Sequence, residues 1–224
     1  MSGGFPSSGE PVETFAGDRE GEGAMRERGG LLVKRGLDVA ISAAALAVLS
    51  PILVCISLMI VLDSGRPVFY RQMRHGFGRL PFRMWKFRTL TREASLEAFR
   101  QVTVGDVRMT RFGRVMRRWN LDELPQLLNV LGGSMSLVGP RPHPVELDDQ
   151  FEPLIPNYAR RYGVKPGITG WAQVNGCRGE TDTIAKMEDR ITCDLHYIAN
   201  RSLLLDLRIL VLTVLSARSY RNAR

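Results

Sequence analysis

Asp122 and Glu123 stand side by side in a stretch crowded with cations, with Arg117 and Arg118 just before them and Arg141 further on. Asn120 or Asp122 could cap a helix there, Pro125 is tolerated in its first turn, and Gly132-Gly133 ends it. On that placement both acids lie at a helix N-terminus and complement its dipole, an ordinary role that needs no chemistry. The same exposed N–H groups favour phosphate, and the surrounding arginines turn the reading toward phosphate chemistry. Gly139-Pro140-Arg141-Pro142-His143-Pro144 adds a stiff turn presenting one arginine. Stiffness lowers the entropy lost when a guanidinium grips phosphate, although a plain linker would look the same. Lys86 and Arg88 sit in Phe82-Arg83-Met84-Trp85-Lys86-Phe87-Arg88, whose near alternation predicts a strand with one wet face. Such charges also keep a strand edge from pairing.

Several elements must position these groups. Pro67 to Tyr70 reads as a strand or extended segment, and Arg74 to Arg79 as a basic turn. Phe112, Val115, Met116 and Trp119 recur at helical spacing, with Arg111, Arg114 and Arg118 on the other side. This amphipathic helix suits either a core-packed site or the interfacial plane of a bilayer. Lys165 to Gly170 predicts a turn, followed by a short strand from Trp171 to Val174. Leu203 to Leu215 predicts a buried or membrane-surface helix.

The run from Val39 to Leu62 carries no charge and has Ser50-Pro51 at its centre. At about 1.5 Å per residue a straight helix of that length crosses a hydrocarbon core of roughly 30 Å. Pro51, however, has no N–H for the Ala47 carbonyl, so a break or kink is expected, with the Ser50 hydroxyl able to serve a freed backbone group. Arg26, Arg28, Lys34 and Arg35 precede the run and Arg66, Arg71 and Arg74 follow it. A spanning helix usually shows a bias in flanking basic charge; this near balance favours a segment that enters, turns and returns to one face. The alternative is a spanning helix with a proline kink.

The chain has 224 residues and a net charge of +8. Because residues 1–30 are glycine-rich and net acidic, they read as a disordered tail, and the remainder is more basic still. A basic body beside a membrane segment meets anionic headgroups and phosphate-bearing substrates. Nucleic acid is not expected, since no zinc-ligand spacing, basic region with heptads or aromatic RNA-binding signature occurs. Cys55, Cys177 and Cys193 are unevenly spaced, which suggests a reducing compartment without a disulfide framework. The expected division is a tail at 1–30, a re-entrant membrane helix at 31–65, and a catalytic domain with interfacial helices at 66–224.

From about Lys34 to Leu215 the chain resembles the monotopic phosphoglycosyl transferases, a bacterial sugar transferase family. The resemblance rests on Ser50-Pro51, Lys86-Phe87-Arg88-Thr89, Leu121-Asp122-Glu123-Leu124-Pro125-Gln126, Leu137-Val138-Gly139-Pro140-Arg141-Pro142, and Pro166-Gly167-Ile168-Thr169-Gly170 through Gln173-Val174, in family order. It implies a compact α/β monotopic membrane protein with a re-entrant helix hairpin broken at Ser50-Pro51, interfacial amphipathic helices and a small sheet. It further implies that Asp122 attacks the β-phosphorus of a UDP-sugar, releasing UMP, and that undecaprenyl phosphate then takes the phosphosugar from the aspartyl ester. Glu123 would hold Mg²⁺, and Lys86, Arg88, Arg118 and Arg141 would grip phosphate. Asp122 is expected to be ionised, favoured by the cations near it.

Asn175 to Asp182, with Lys186 to Arg190 and Asp194 to Ile198, resembles the branch that starts exopolysaccharide synthesis from UDP-glucose. UDP-galactose is the alternative donor, and an inactive membrane-anchored assembly protein the alternative function. The chain departs from the usual pattern at Trp119-Asn120 and Cys177, neither of which alters the dyad. It is expected to be a catalytic core without the additional helices of larger members. The implied location is the bacterial inner membrane, with the catalytic domain on the cytoplasmic face in contact with lipid. A homo-oligomer is left open.

Overall fold

The computed structural model describes residues 15–95, 100–103, 105–177, 179, 181 and 183–215, with side chains from residue 29 onward. The first fourteen residues of the expected tail lie outside this set, and helix α1, Phe15–Ser64, begins within the remainder of that tail. Pro51 lies inside α1, and helical structure continues on both sides of it. Ser50 Oγ donates to the Ala47 carbonyl at 2.8 Å, satisfying the acceptor that Pro51 leaves without an N–H.

Both ends of the apolar run are tied to the rest of the protein. On the N-terminal side, Lys34 pairs with Asp206 at 2.5 Å, Arg35 donates to the carbonyls of Val130 and Leu131, and Asp38 accepts from the Leu137 N–H at 3.1 Å. On the C-terminal side, Ile56 and Ile60 are buried against Phe87 and Met116, and Asp63 accepts from the Phe112 N–H at 3.3 Å. Between and around these ties Val48, Ile52, Val54, Leu58 and Leu62 are exposed.

Strands β1, Phe69–His75, and β2, Pro81–Phe87, form an antiparallel hairpin in which Tyr70 faces Lys86 and Arg74 faces Phe82. The basic turn expected between them is a 3-10 turn at Phe77–Arg79. Helix α2, Arg111–Arg118, starts at Thr110, whose hydroxyl accepts from the Gly113 N–H at 2.9 Å. Gly113 is required there, because a Cβ would lie 2.2 Å from the Thr89 carbonyl oxygen. Of the apolar stripe on α2, Met116 is fully buried, whereas Val115 and Trp119 are exposed.

A 3-10 turn at Leu121–Glu123 then leads through Pro125 into α3, Gln126–Leu131. The acids therefore precede α3 rather than forming its first turn, and Asn120 makes no capping bond but takes a left-handed φ of 54° that redirects the chain. Strand β3, Ser136–Val138, pairs in parallel with β4, Gly167–Thr169, so the expected small sheet is two separate two-stranded sheets. The strand expected at Trp171–Val174 is a helical turn, α5, once α4, Val145–Phe151, has been passed; the strand falls just before it, on the segment expected to be a turn. Close approach explains the shift: a Cβ on Gly167 would lie 2.1 Å from the Gly139 nitrogen, so only these glycines let the two backbones meet. Helices α6, Ile184–Ala199, and α7, Leu203–Leu215, complete the chain.

One core joins Met84, Leu127, Val130, Leu137, Val138, Tyr197 and Ile209, and a second joins Leu147, Phe151, Tyr158, Met187 and Ile191. Helix α7 buries Ile209 and Asp206 and leaves Leu204, Leu207, Val211 and Val214 exposed. The result is a mixed helical body with small sheets and one long apolar helix compatible with membrane anchoring.

Candidate active site

Three elements converge on Glu123. Lys86 near the end of β2 donates to Oε1 at 2.9 Å; Arg141, on the loop after β3, donates from Nη1 to Oε2 at 3.0 Å and from Nη2 to Oε1. Asp122, one residue earlier on the 3-10 turn, is buried beside them. The dyad opens on a cavity of about 920 Å³ lined, among the described residues, by ten lysine and arginine side chains against two carboxylates, Asp122 and Glu123. A cavity with that imbalance suits a ligand carrying several negative charges.

Burial shapes the charge states. It pushes the Asp122 carboxyl above its ordinary value, and although Lys86 opposes this, Glu123 reinforces it. Burial also acts upward on Glu123, but Arg141 and Lys86 outweigh it and hold that carboxyl well below the usual range. The direction at Asp122 is thus opposite to the sequence expectation: neighbouring cations do favour its charged form, but desolvation is larger. Lys86 is shifted downward by burial, against the pull of Glu123.

The loop bearing Arg141 is held from behind by a buried polar network. Arg161 donates to the Arg141 carbonyl and pairs with Asp194 at 3.0 Å, while Arg74 donates to the Pro142 carbonyl at 2.9 Å. Tyr158 donates to Asp148 at 2.7 Å and contacts the His143 ring at 2.9 Å. Stiffness expected from the prolines is therefore reinforced by fixed hydrogen bonds.

Of the anticipated phosphate grips, Lys86 and Arg141 meet at Glu123, and Arg118 lies exposed at the cavity rim. Arg88 has different partners. Its side chain is almost fully buried and donates to the carbonyls of Ser64, Gly65, Pro67 and Leu90 and to Ser64 Oγ. It caps the end of α1, and although the residue also lines the cavity its guanidinium is engaged by these oxygens. Ser50 and Pro51 lie within α1 as described.

Six further arginines line the cavity, among them Arg74, Arg117 and Arg190. Arg117 reaches Thr89 Oγ1 at 3.0 Å and its charge favours the ionised form of Asp122. Arg74 and Arg190 are buried, and neither has a carboxylate within salt-bridge distance among the described residues. Tyr70, Gln72 and Arg74 alternate along β1 and all reach the cavity, a period of two that was present in the sequence. Arg190, on α6, had no comparable local signal.

As oxygen donors for a divalent cation the site offers Asp122 and Glu123, and no group of three or more His, Cys, Asp or Glu forms a metal cage among the described residues. That donor set fits Mg²⁺, which commonly takes one or two carboxylates and completes its shell with water and substrate phosphate. Because Lys86 and Arg141 already face both Glu123 oxygens, a cation there shares the carboxylate with them.

Fold and site define a protein with one long apolar helix compatible with membrane anchoring and a paired-carboxylate cavity lined mostly by cations. The chain belongs to the bacterial sugar transferase family, which it matches over residues 30–219. It is 48% identical to a UDP-glucose:undecaprenyl-phosphate glucose-1-phosphate transferase of Escherichia coli (strain K12), across 82% of this chain and 39% of the relative. A protein of the same name from Caulobacter vibrioides is 47% identical across 86% of this chain and 72% of its own length. An exopolysaccharide production protein of Rhizobium leguminosarum bv. phaseoli is 43% identical across 83% of this chain and 95% of its own length. The chain thus spans well under half of the first of these relatives, and most of the third.

Proposed function

We propose that the chain transfers glucose 1-phosphate from UDP-glucose to undecaprenyl phosphate, releasing UMP and forming undecaprenyl-diphosphate-glucose. The observation that carries this reading is Asp122, buried beside a Glu123 held by Lys86 and Arg141, in a cavity dominated by cations. The names of the relatives support the donor and acceptor.

In the first half-reaction an Asp122 carboxylate oxygen bonds to the β-phosphorus, the bond from that phosphorus to the bridging oxygen breaks, and UMP departs with the electron pair. In the second, an oxygen of undecaprenyl phosphate bonds to the same phosphorus and expels the Asp122 carboxylate. One carboxylate thereby serves two substrates that need never face each other. Arg141 and Lys86 hold Glu123 and offer charge to the phosphoryl oxygens, and Arg117 favours the ionised Asp122. A divalent cation such as Mg²⁺, held by Glu123 together with substrate phosphate, would neutralise the diphosphate. Supplying UDP-glucose with Mg²⁺ and no lipid, then quenching rapidly, should give an intact-mass adduct of one phosphosugar mapped to Asp122. Absence of the adduct in an active sample, with kinetics requiring both substrates together, would replace this scheme by direct transfer.

The membrane reading is monotopic and re-entrant, with the body on the cytoplasmic face of the inner membrane. Its support is that Lys34, Arg35 and Asp38 before the apolar run, and Ile56, Ile60 and Asp63 near its end, all bind the same body. A helix crossing the bilayer would carry one of those ends to the far side. The exposed apolar faces of α1 and α7 then rest in lipid, and the division at 31–65 and 66–224 follows the anchor and the body. Cysteines placed at Gly30 and Arg66, in a background without the native cysteines, should label from the same side in intact cells; labelling from opposite sides would restore the spanning helix.

A further inference from the structure

The cavity has a second polar end to which the transfer scheme gives no task. Gln173, Thr181 and Arg190 line it and are 2%, 2% and 7% exposed. Each has a buried side-chain atom without a hydrogen-bond partner among the described residues: Gln173 Oε1, Thr181 Oγ1 and Arg190 Nε. Buried polar groups are nearly always paired, with protein or with water, so these three orphans on residues lining one cavity, to which Arg74 Nε adds a fourth, mark a place for a bound polar group.

The orphaned atoms restrict its chemistry. Gln173 Nε2 donates to the Ile168 carbonyl at 2.8 Å, which fixes the amide and leaves its oxygen as the unmet atom. An ionised phosphate has only acceptors and cannot satisfy that oxygen; the ligand must present a donor. Arg190 donates from Nη2 to the Gly179 carbonyl at 3.1 Å, and its unmet Nε needs an acceptor. The Thr181 hydroxyl accepts either. A group that donates and accepts at once is a hydroxyl. Arg190 Nη1 also stands 3.5 Å from His143 Nε2, two residues from Arg141, so this end adjoins the arginine that grips Glu123.

We infer that Gln173, Thr181 and Arg190 form the subsite that binds the sugar hydroxyls of the UDP-sugar and sets which sugar is accepted. This rests on the transfer reading above. Uracil also combines donors and acceptors, but a base needs a flat face. The partly exposed aromatic residues lining the cavity, Tyr70 and Trp119, belong to β1 and the end of α2 instead.

The test uses the full chain in detergent with undecaprenyl phosphate and Mg²⁺, following UMP release from the UDP-hexose it turns over fastest. Thr181→Val removes only the hydroxyl, and Arg190→Lys keeps the charge but removes Nε. Inhibition by UDP, which shares the uridine and diphosphate but lacks the sugar, is measured in parallel. Each variant should lose about tenfold to a hundredfold in kcat/KM, while inhibition by UDP stays within about twofold of wild type. Retained inhibition also reports a folded site. Weakened UDP inhibition in step with kcat/KM would reassign these residues to uracil or diphosphate and overturn the inference, as would two variants with wild-type kcat/KM. A wild-type chain that releases no UMP from UDP-glucose, UDP-galactose or UDP-N-acetylglucosamine sinks the transfer reading itself, a separate result that needs no variant.

Discussion

Lys86 and Arg88 stand two residues apart and belong to two different regions of the molecule. Lys86 joins Arg141 on the Glu123 carboxylate, facing the cavity. Arg88 joins the end of α1 to the exit of β2 through backbone carbonyls. A cation bound to a carboxylate can exchange part of that contact for phosphate or share it with a metal ion. A guanidinium spread over several backbone carbonyls cannot be recruited without giving up those bonds. The partner, more than the charge, separates a substrate grip from a structural staple.

The largest effect should come from Asp122→Asn, which removes the attacking oxygen anion. UMP release should fall by at least about a thousandfold, and the mass adduct should vanish. Arg141→Ala should follow, costing on the order of a hundredfold in kcat/KM with the fold retained, because Lys86 still pairs with Glu123. A melting curve beside the kinetics checks both halves of that statement. Arg88→Met should reverse the pattern: about 2–4 kcal/mol of stability lost, read as a lower melting temperature, with activity per folded molecule changed less than about threefold. Were Arg88→Met to abolish turnover while leaving melting unchanged, the two regions would have been assigned the wrong way round. Arg118→Ala, at the exposed rim, should change kcat/KM least, by less than about threefold at moderate salt.

The same pair shows what sequence could and could not reveal. Both looked like grips because they share the contiguous Lys86-Phe87-Arg88-Thr89 stretch on which the family resemblance rests. But β2 ends at Phe87, so the period of two no longer governs Arg88. The dyad, Arg141 and helix α7 were legible because each is written in contiguous residues. Trp171–Val174 was misread because four residues cannot separate a strand from one helical turn, and the deciding fact is the contact between Gly139 and Gly167, far apart in sequence. Thr181 and Arg190 lie in stretches whose resemblance to one branch was legible, but that they line the same cavity was not, for a related reason: only packing of α6 and the segment before it brings them there. Raised proton affinity at Asp122 was also hidden, since burial is a property of the folded chain.

The staple at Arg88 has a consequence for the proposed membrane placement. Its guanidinium fixes the last turn of α1, and a single residue, Phe87, separates it from Lys86 at the dyad. A strand segment that short, with Phe87 itself buried against Ile56 and Ile60, leaves little slack between anchor and reacting carboxylate. On the proposed re-entrant reading, with the apolar helix in the bilayer, the height of Asp122 above the hydrocarbon is set mechanically, like the stop on a depth gauge. An acceptor phosphate at the headgroup plane would then arrive level with the phosphorus carried on Asp122.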